Sequence, residues 1–250
     1  MSTIVLSVEG LAKAFGGVDA VDGVSFDVSA GEIVALIGPN GAGKTTCFNL
    51  INGQLAPDAG RVLLGGEDVT GRSARALAHL GVGRTFQVAA TFASMTVRES
   101  VELALAAHAG ATSSMLGDGL VRFDAAAGTL LESVGALDLA ERHGATLAYG
   151  DVRRVEIALA MAGKPRLLLM DEPTAGMAPR ERGALMQVAA DLARREAIAV
   201  LFTEHDMDVV FGHADRVIVL DRGRILAQGA PDAIRADPRV REAYLGSESA

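Results

Sequence analysis

The chain is 250 residues long, 50% hydrophobic but only 4% aromatic, with no Trp. It can therefore bury a large core, as one big domain or a core with a subdomain, filled by aliphatic side chains and Met. Its 31 acidic and 23 basic residues leave a formal charge of −8. That balance opposes binding to a nucleic-acid backbone, and so few aromatics argue against stacking platforms for single strands. The single cysteine, Cys47, excludes an internal disulfide and suits a reducing cytosol.

In chain order, residues 3–8 read as a strand, without the basic start, apolar run and cleavage site of a signal peptide. Short apolar runs predict further strands at Ile33–Ile37, 61–64, 167–170, Ala199–Thr203 and 217–220. Helical periodicity falls between them, over Lys44–Ile51, 97–109, 125–134, 152–162 and 180–195. Most strand runs are continuously apolar rather than alternating, which implies a sheet covered on both faces. Strand–helix alternation implies an α/β fold with a largely parallel sheet. Residues 88–160 hold no strand pattern and read as a mainly helical subdomain. Residues 1–87 and 161–250 then form the α/β core of a single domain. Within the helical part, residues 110–119 are rich in Gly, Ser and Thr and read as a loop. No stretch of about 18 apolar residues occurs, so the chain is not expected to cross a bilayer, and a membrane role has to come through a partner.

Residues 38–46 read Gly38-Pro39-Asn40-Gly41-Ala42-Gly43-Lys44-Thr45-Thr46, a complete phosphate-loop pattern between a predicted strand and a predicted helix. Glycines let the backbone wrap closely around phosphates, and the helix that follows turns its positive end toward them. Lys44 is expected to reach the β- and γ-phosphates, Thr45 to hold Mg²⁺ through its hydroxyl, and Thr46 to contact the α-phosphate. Further on, the apolar run 167–170 ends in Asp171 and Glu172. Alone, such a strand end is commonplace. Beside a phosphate loop it is the expected partner, with Asp171 holding Mg²⁺ through water and Glu172 polarising the attacking water as general base. Cys47 reads as a small core residue on the loop's helix.

A phosphate loop alone leaves kinases, GTPases and motors open. Ahead of the acidic strand, Leu147-Ala148-Tyr149-Gly150-Asp151 resembles the signature motif of ABC ATPases, Leu-Ser-Gly-Gly-Gln in its usual form. Gln87 in Arg84-Thr85-Phe86-Gln87 resembles the Q-loop, and His205 in Thr203-Glu204-His205-Asp206 resembles the switch histidine. Residues 175–178 stand where the D-loop belongs, and Phe15 where an aromatic stacks on adenine. The resemblance covers essentially the whole chain. It implies a P-loop NTPase core of ABC ATPase type, a helical subdomain carrying the signature at its end, and an antiparallel β edge. It also implies head-to-tail pairs, with each ATP between the loop of one subunit and the signature (Ala148, Tyr149, Gly150, Asp151) of the other. Gly150 is then expected at the start of helix 152–162. His205 is expected to contact the γ-phosphate. Gln87 is expected to contact Mg²⁺ or the water and to link the site to the helical subdomain, which grips a coupling helix of a membrane subunit. Three positions depart from the family pattern. Ala148 replaces a Ser, Asp151 brings a carboxylate near the phosphates in place of Gln or Glu, and Ala178 replaces a D-loop Asp.

A finer resemblance is to the ATP-binding subunits of branched-chain amino acid importers. It rests on Phe15-Gly16-Gly17, Arg84-Thr85-Phe86-Gln87, Met95-Thr96-Val97, Leu147-Ala148-Tyr149-Gly150, Glu204-His205-Asp206-Met207 and the tail from Asp237-Pro238 to Ala243-Tyr244-Leu245-Gly246. In that family Leu-Ala-Tyr-Gly is a familiar signature variant. The resemblance implies ATP and Mg²⁺ as cofactors and a peripheral position on the cytoplasmic face of the inner membrane. The implied partners are transmembrane permease subunits, a second ABC ATPase subunit of the same or a related kind, and indirectly a solute-binding protein, with no nucleic acid. Importers of amides, urea or aromatic acids use similar ATPases. So does lipopolysaccharide export, although there Pro usually precedes the Q-loop Gln, where this chain has Phe86. Soluble ABC ATPases of DNA repair or translation usually carry coiled coils, zinc modules or tandem ATPase domains, for which this sequence has no pattern.

Overall fold

The structure, a computed structural model, describes residues 3–85, 94–110 and 123–245. Its strands in chain order are β1 (Ile4–Phe15), β2 (Val18–Ser29), β3 (Ile33–Ile37), β4 (Ala59–Leu64), β5 (Glu67–Asp68), β6 (Val82–Arg84), β7 (Leu167–Asp171), β8 (Ala199–Thr203), β9 (Arg216–Asp221) and β10 (Arg224–Gly229). The α-helices are α1 (Lys44–Ile51), α2 (Ala74–His79), α3 (Val97–His108), α4 (Asp124–Ser133), α5 (Tyr149–Met161), α6 (Pro179–Glu196), α7 (Met207–His213), α8 (Pro231–Ala236) and α9 (Pro238–Leu245).

The apolar runs form the centre of a six-stranded sheet of order β10-β9-β3-β8-β7-β6. β3 lies parallel between β8 and β9, β7 lies parallel between β6 and β8, and β10 closes the edge antiparallel to β9. Every residue of β3 and of β8 is buried, as the absence of alternation implied. The strand period of two still sorts these residues between two cores. Val34, Leu36, Leu169, Leu201 and Leu220 face one core, shared with α1 and the N-terminal strands. Ile33, Ala35, Ile37, Met170 and Phe202 face the other, shared with α3 to α6.

The expected antiparallel edge is a second sheet of four strands, order β2-β1-β4-β5. Here the structure extends the sequence reading: β1 runs to Phe15 instead of ending near residue 8, and β2 is a twelve-residue strand. β2 buries Val21, Val24, Phe26 and Val28 while Asp22, Ser25 and Asp27 stay more open, the half-buried pattern of an antiparallel strand. Gly23, at positive φ, interrupts that alternation in β2, Gly10 is likewise at positive φ in β1, and the β1–β2 register shifts between Val8 and Leu11. The three-residue β6, the edge strand β10 and the short helices α2, α7, α8 and α9 are likewise additions.

Among the described residues of 88–160 there are helices and 3-10 turns, with one isolated bridge from Thr96 to His143. α3 starts where Thr96 and Glu99 cap each other. The Glu99 N–H donates to Thr96 Oγ1 at 3.1 Å, and Glu99 Oε2 accepts from the Thr96 N–H at 2.7 Å. Val101, Leu131 and Ile157 share their core with Leu168, Met170 and Phe202, so the helical part is packed against one face of the sheet.

Phe202 is fully buried on the central strand β8. Phe202→Ala is expected to lower unfolding free energy by about 3–5 kcal/mol in chemical denaturation. A loss under about 1 kcal/mol would contradict this packing.

Candidate nucleotide-binding site

β3 runs directly into the phosphate loop, whose path is set by two close approaches. A Cβ on Gly38 would lie 2.2 Å from the Leu220 carbonyl oxygen, and one on Gly43 would lie 2.1 Å from that of Ala20. Only glycine fits either place, and both carry positive φ. Between them, the Ala42 carbonyl accepts from the Gly223 N–H at 3.0 Å. Gly43 caps α1 without a side-chain acceptor, so no side chain competes for the first amides of the helix. Ala20, Asn40, Gly41, Ala42, Gly43, Lys44, Thr45 and Thr46 line a cavity of about 280 Å³, and Glu172 and His205 complete its wall. Lys44 Nζ donates to the carbonyls of Gly38 (2.7 Å) and Pro39 (3.0 Å). Burial holds its pKa below the usual lysine range, against the upward pull of Glu172. Cys47 lies in the core under the loop, where burial pushes its thiol up to about 12.

The carboxylates arrive at the ends of neighbouring strands. Asp171 is paired with Thr203 in the parallel ladder. The Thr203 hydroxyl donates to Asp171 Oδ1 at 2.7 Å and accepts from the Glu172 N–H at 3.1 Å. The Arg84 guanidinium lies 3.5 Å from Asp171 Oδ2. Glu172 has φ of 47°, a left-handed backbone that costs a non-glycine residue about 1–2 kcal/mol. Its carboxylate meets His205 Nε2 at 2.9 Å, both side chains being about half exposed. Behind them Glu204, 4% exposed, accepts from the Thr174 N–H (2.8 Å) and hydroxyl (2.6 Å) through Oε1, and from the His205 N–H (3.1 Å) through Oε2. Thr174, Thr203, Glu204 and Arg84 were not singled out as site residues from sequence. Their signal was only a polar residue at the end of an apolar strand or buried beside a motif.

The signature segment lies elsewhere. α5 begins at Tyr149 with Ala148 as its N-cap, so Gly150 sits inside the first turn rather than ahead of a helix starting at 152. Ala148 offers no side-chain oxygen to the free amides. Asp151 is ion-paired with Arg154, which also donates to the Gly135 carbonyl, so its charge is partnered within the chain. Arg153 donates to the Tyr149 hydroxyl (2.5 Å) and pairs with buried Glu156 (2.8 Å). Gly150 and Asp151 line a separate cavity with Met177 and Glu181. Ala178, the N-cap of α6, lacks a capping oxygen, and Glu181 accepts from its N–H at 3.4 Å. Phe15, 47% exposed, pairs with Val18 across the β1–β2 hairpin, with Lys13 Nζ 5.7 Å from its ring centre. Gln87, Phe86 and the Gly/Ser/Thr-rich stretch 111–119 lie outside the described residues.

The ABC transporter family matches residues 21–175, and a family described as branched-chain amino acid ATP-binding cassette transporter matches residues 224–250. The high-affinity branched-chain amino acid transport ATP-binding protein LivG of Escherichia coli (strain K12) is 43% identical over 98% of this chain and 99% of that protein. BraF of Pseudomonas aeruginosa, of the same description, is 41% identical over the same shares. The solved ADP conformation of an ATP-binding cassette of an ABC transporter superposes with a TM-score of 0.86 at 32% identity, covering 97% of this chain and 99% of that one. With this fold, this loop and identity along nearly its whole length, the chain belongs to the ABC transporter family of ATP-binding cassettes.

Proposed function

We propose that this chain binds ATP at the phosphate loop and hydrolyses it to power a membrane importer of branched-chain or related amino acids. The observation that carries the ATPase reading is the meeting of Lys44, Glu172 and His205 in one cavity. Lys44 exchanges its loop carbonyls for β- and γ-phosphate oxygens, a charge-assisted bond that favours the ammonium form. Glu172 accepts the proton of the attacking water, and His205, 2.9 Å from it, orients the pair toward the γ-phosphate. Thr45 and Asp171 offer a hydroxyl and a carboxylate, hard oxygen donors that suit Mg²⁺ completed by phosphates and water. Among the described residues no cluster of three or more His, Cys, Asp and Glu could hold a metal ion. When bound, Mg²⁺ neutralises developing phosphate charge. Gln87 is assigned the link between this site and the helical subdomain of residues 88–160, as the family resemblance implies.

The signature residues Ala148, Tyr149, Gly150 and Asp151 serve the nucleotide of a second ATPase subunit, this chain or a related one. Their own cavity does not include the loop, and the amides at the start of α5 are the donors they present. A closed pair is favoured by ATP because only ATP supplies the γ-phosphate that bridges both subunits. Among the described residues no helix is long and apolar enough to cross a membrane. As the family resemblance implies, permease chains span the bilayer, this subunit lies on the cytoplasmic face of the inner membrane, and a solute-binding protein feeds the complex. The amino acid class rests on the names of LivG and BraF and on the family match at 224–250.

Lys44→Ala is expected to weaken ATP binding by about 10–100-fold in calorimetry; parent-like affinity would refute the loop assignment. Glu172→Gln is expected to keep ATP affinity, to slow turnover about 100-fold or more, and to accumulate closed dimers in size-exclusion chromatography with ATP. Unimpaired hydrolysis would remove Glu172 as the base. Thr203→Val is expected to cut kcat about tenfold while leaving Mg²⁺-free nucleotide binding intact, and an unchanged kcat would show that the Thr203 hydroxyl does not set the carboxylates.

A further inference from the structure

α5 begins without a side-chain cap, because its N-cap residue is Ala148. A capping oxygen ordinarily ties the first turn of a helix to the residue ahead of it and occupies one of that turn's amides. Without it the amides stay open, and the first turn needs another support.

That support comes from within the helix. Tyr149, Arg153 and Glu156 are four and three residues apart and so share one face of α5. Arg153 and Glu156 are each 5% exposed, whereas Tyr149, the first residue of the helix, is 47% exposed. The Arg153 guanidinium bonds both neighbours: Nη1 donates to Glu156 Oε2 at 2.8 Å, and Nη2 donates to the Tyr149 hydroxyl at 2.5 Å. The guanidinium carbon also lies 5.0 Å from the centre of the Tyr149 ring. A Cβ on Gly176 would meet Tyr149 Cε1 at 3.5 Å, so the ring rests as well on the turn that follows Glu172. An exposed residue at the start of the helix is thus anchored to a buried ion pair.

We propose that Arg153 is a positioning residue for the signature: through the Tyr149 hydroxyl it braces the uncapped first turn of α5, whose open amides serve the nucleotide of the second ATPase subunit. The inference rests on that role of the signature. A planar fork suits the task, since separate nitrogens of one guanidinium hold the tyrosine and the glutamate, whereas a lysine has one nitrogen for both. A turn fixed before the phosphate arrives does not lose the ordering entropy that a frayed turn would lose on closure. Neither Arg153 nor Tyr149 lines the cavity of this chain's own phosphate loop. Their effect therefore falls on hydrolysis by the assembled complex and not on nucleotide affinity of the lone chain.

The test compares the parent with Tyr149→Phe, which keeps the ring and loses only the hydroxyl, and with Arg153→Lys. ATPase activity at varied ATP is measured on the complex purified with each chain from detergent-solubilised membranes. ADP affinity by calorimetry and the melting temperature are measured on each full-length chain alone. Tyr149→Phe is expected to lower kcat/KM of the complex about 3–10-fold, with the ADP Kd of the lone chain within twofold of the parent. Arg153→Lys is expected to lower kcat/KM at least as far. Parent-like kcat/KM in Tyr149→Phe, or an ADP Kd of the lone chain that rises by the same factor, overturns the inference. So does a lower melting temperature in either variant with kcat/KM unmoved, which would make the tie a matter of stability alone. A parent complex that hydrolyses no ATP overturns the ATPase reading beneath it.

Discussion

The site depends on the parallel register of three buried strands. Leu36 pairs with Thr203 between β3 and β8, and Asp171 pairs with Thr203 between β7 and β8. Those two pairings bring the end of β3, where the phosphate loop begins, level with the end of β7, where the carboxylates begin. A slip of one residue in either ladder would turn the apolar side chains to the wrong core and move the carboxylates along the strand axis. The two cores, sorted by alternate residues of β3, β7 and β8, therefore fix the distance between Lys44 and Glu172 without any contact that belongs to the chemistry.

Within that frame the polar groups hold one another in unfavourable places. Glu172 sits in a left-handed backbone, and its N–H is held by both the carbonyl and the hydroxyl of Thr203. Glu204 is buried but accepts three hydrogen bonds, which is what lets a carboxylate stay inside a protein. It joins Thr174, after Glu172, to His205, so Glu172 and His205 share one support. Lys44 is desolvated and bonded to two carbonyls, which leaves its charge directed at the loop's interior, where phosphate charge would be met.

How much of this could be read from residues alone follows from the range of each interaction. The phosphate loop was legible because its constraints are local: Gly38 and Gly43 answer steric contacts, and Lys44 follows at a fixed spacing. The buried strands were legible from apolar runs, and the carboxylates from their place at the end of one. β2 was overlooked because Gly23 breaks its alternation, and β6 because a strand of three residues leaves almost no pattern. The start of α5 was misread since Ala148 is a poor capping residue; the usual signal for a helix start is missing there. Thr203 and Glu204 meet Asp171, Glu172 and Thr174 about thirty residues away, so their sequence neighbours do not show what they hold.

Membership of the ABC transporter family ties the chain to a transport complex, and the most direct measurement is what accompanies the chain. Affinity purification from detergent-solubilised membranes, followed by mass spectrometry, is predicted to recover permease chains together with a second ATPase subunit. Recovery of soluble or nucleic-acid-bound partners alone would contradict the transport assignment while leaving the nucleotide site in place.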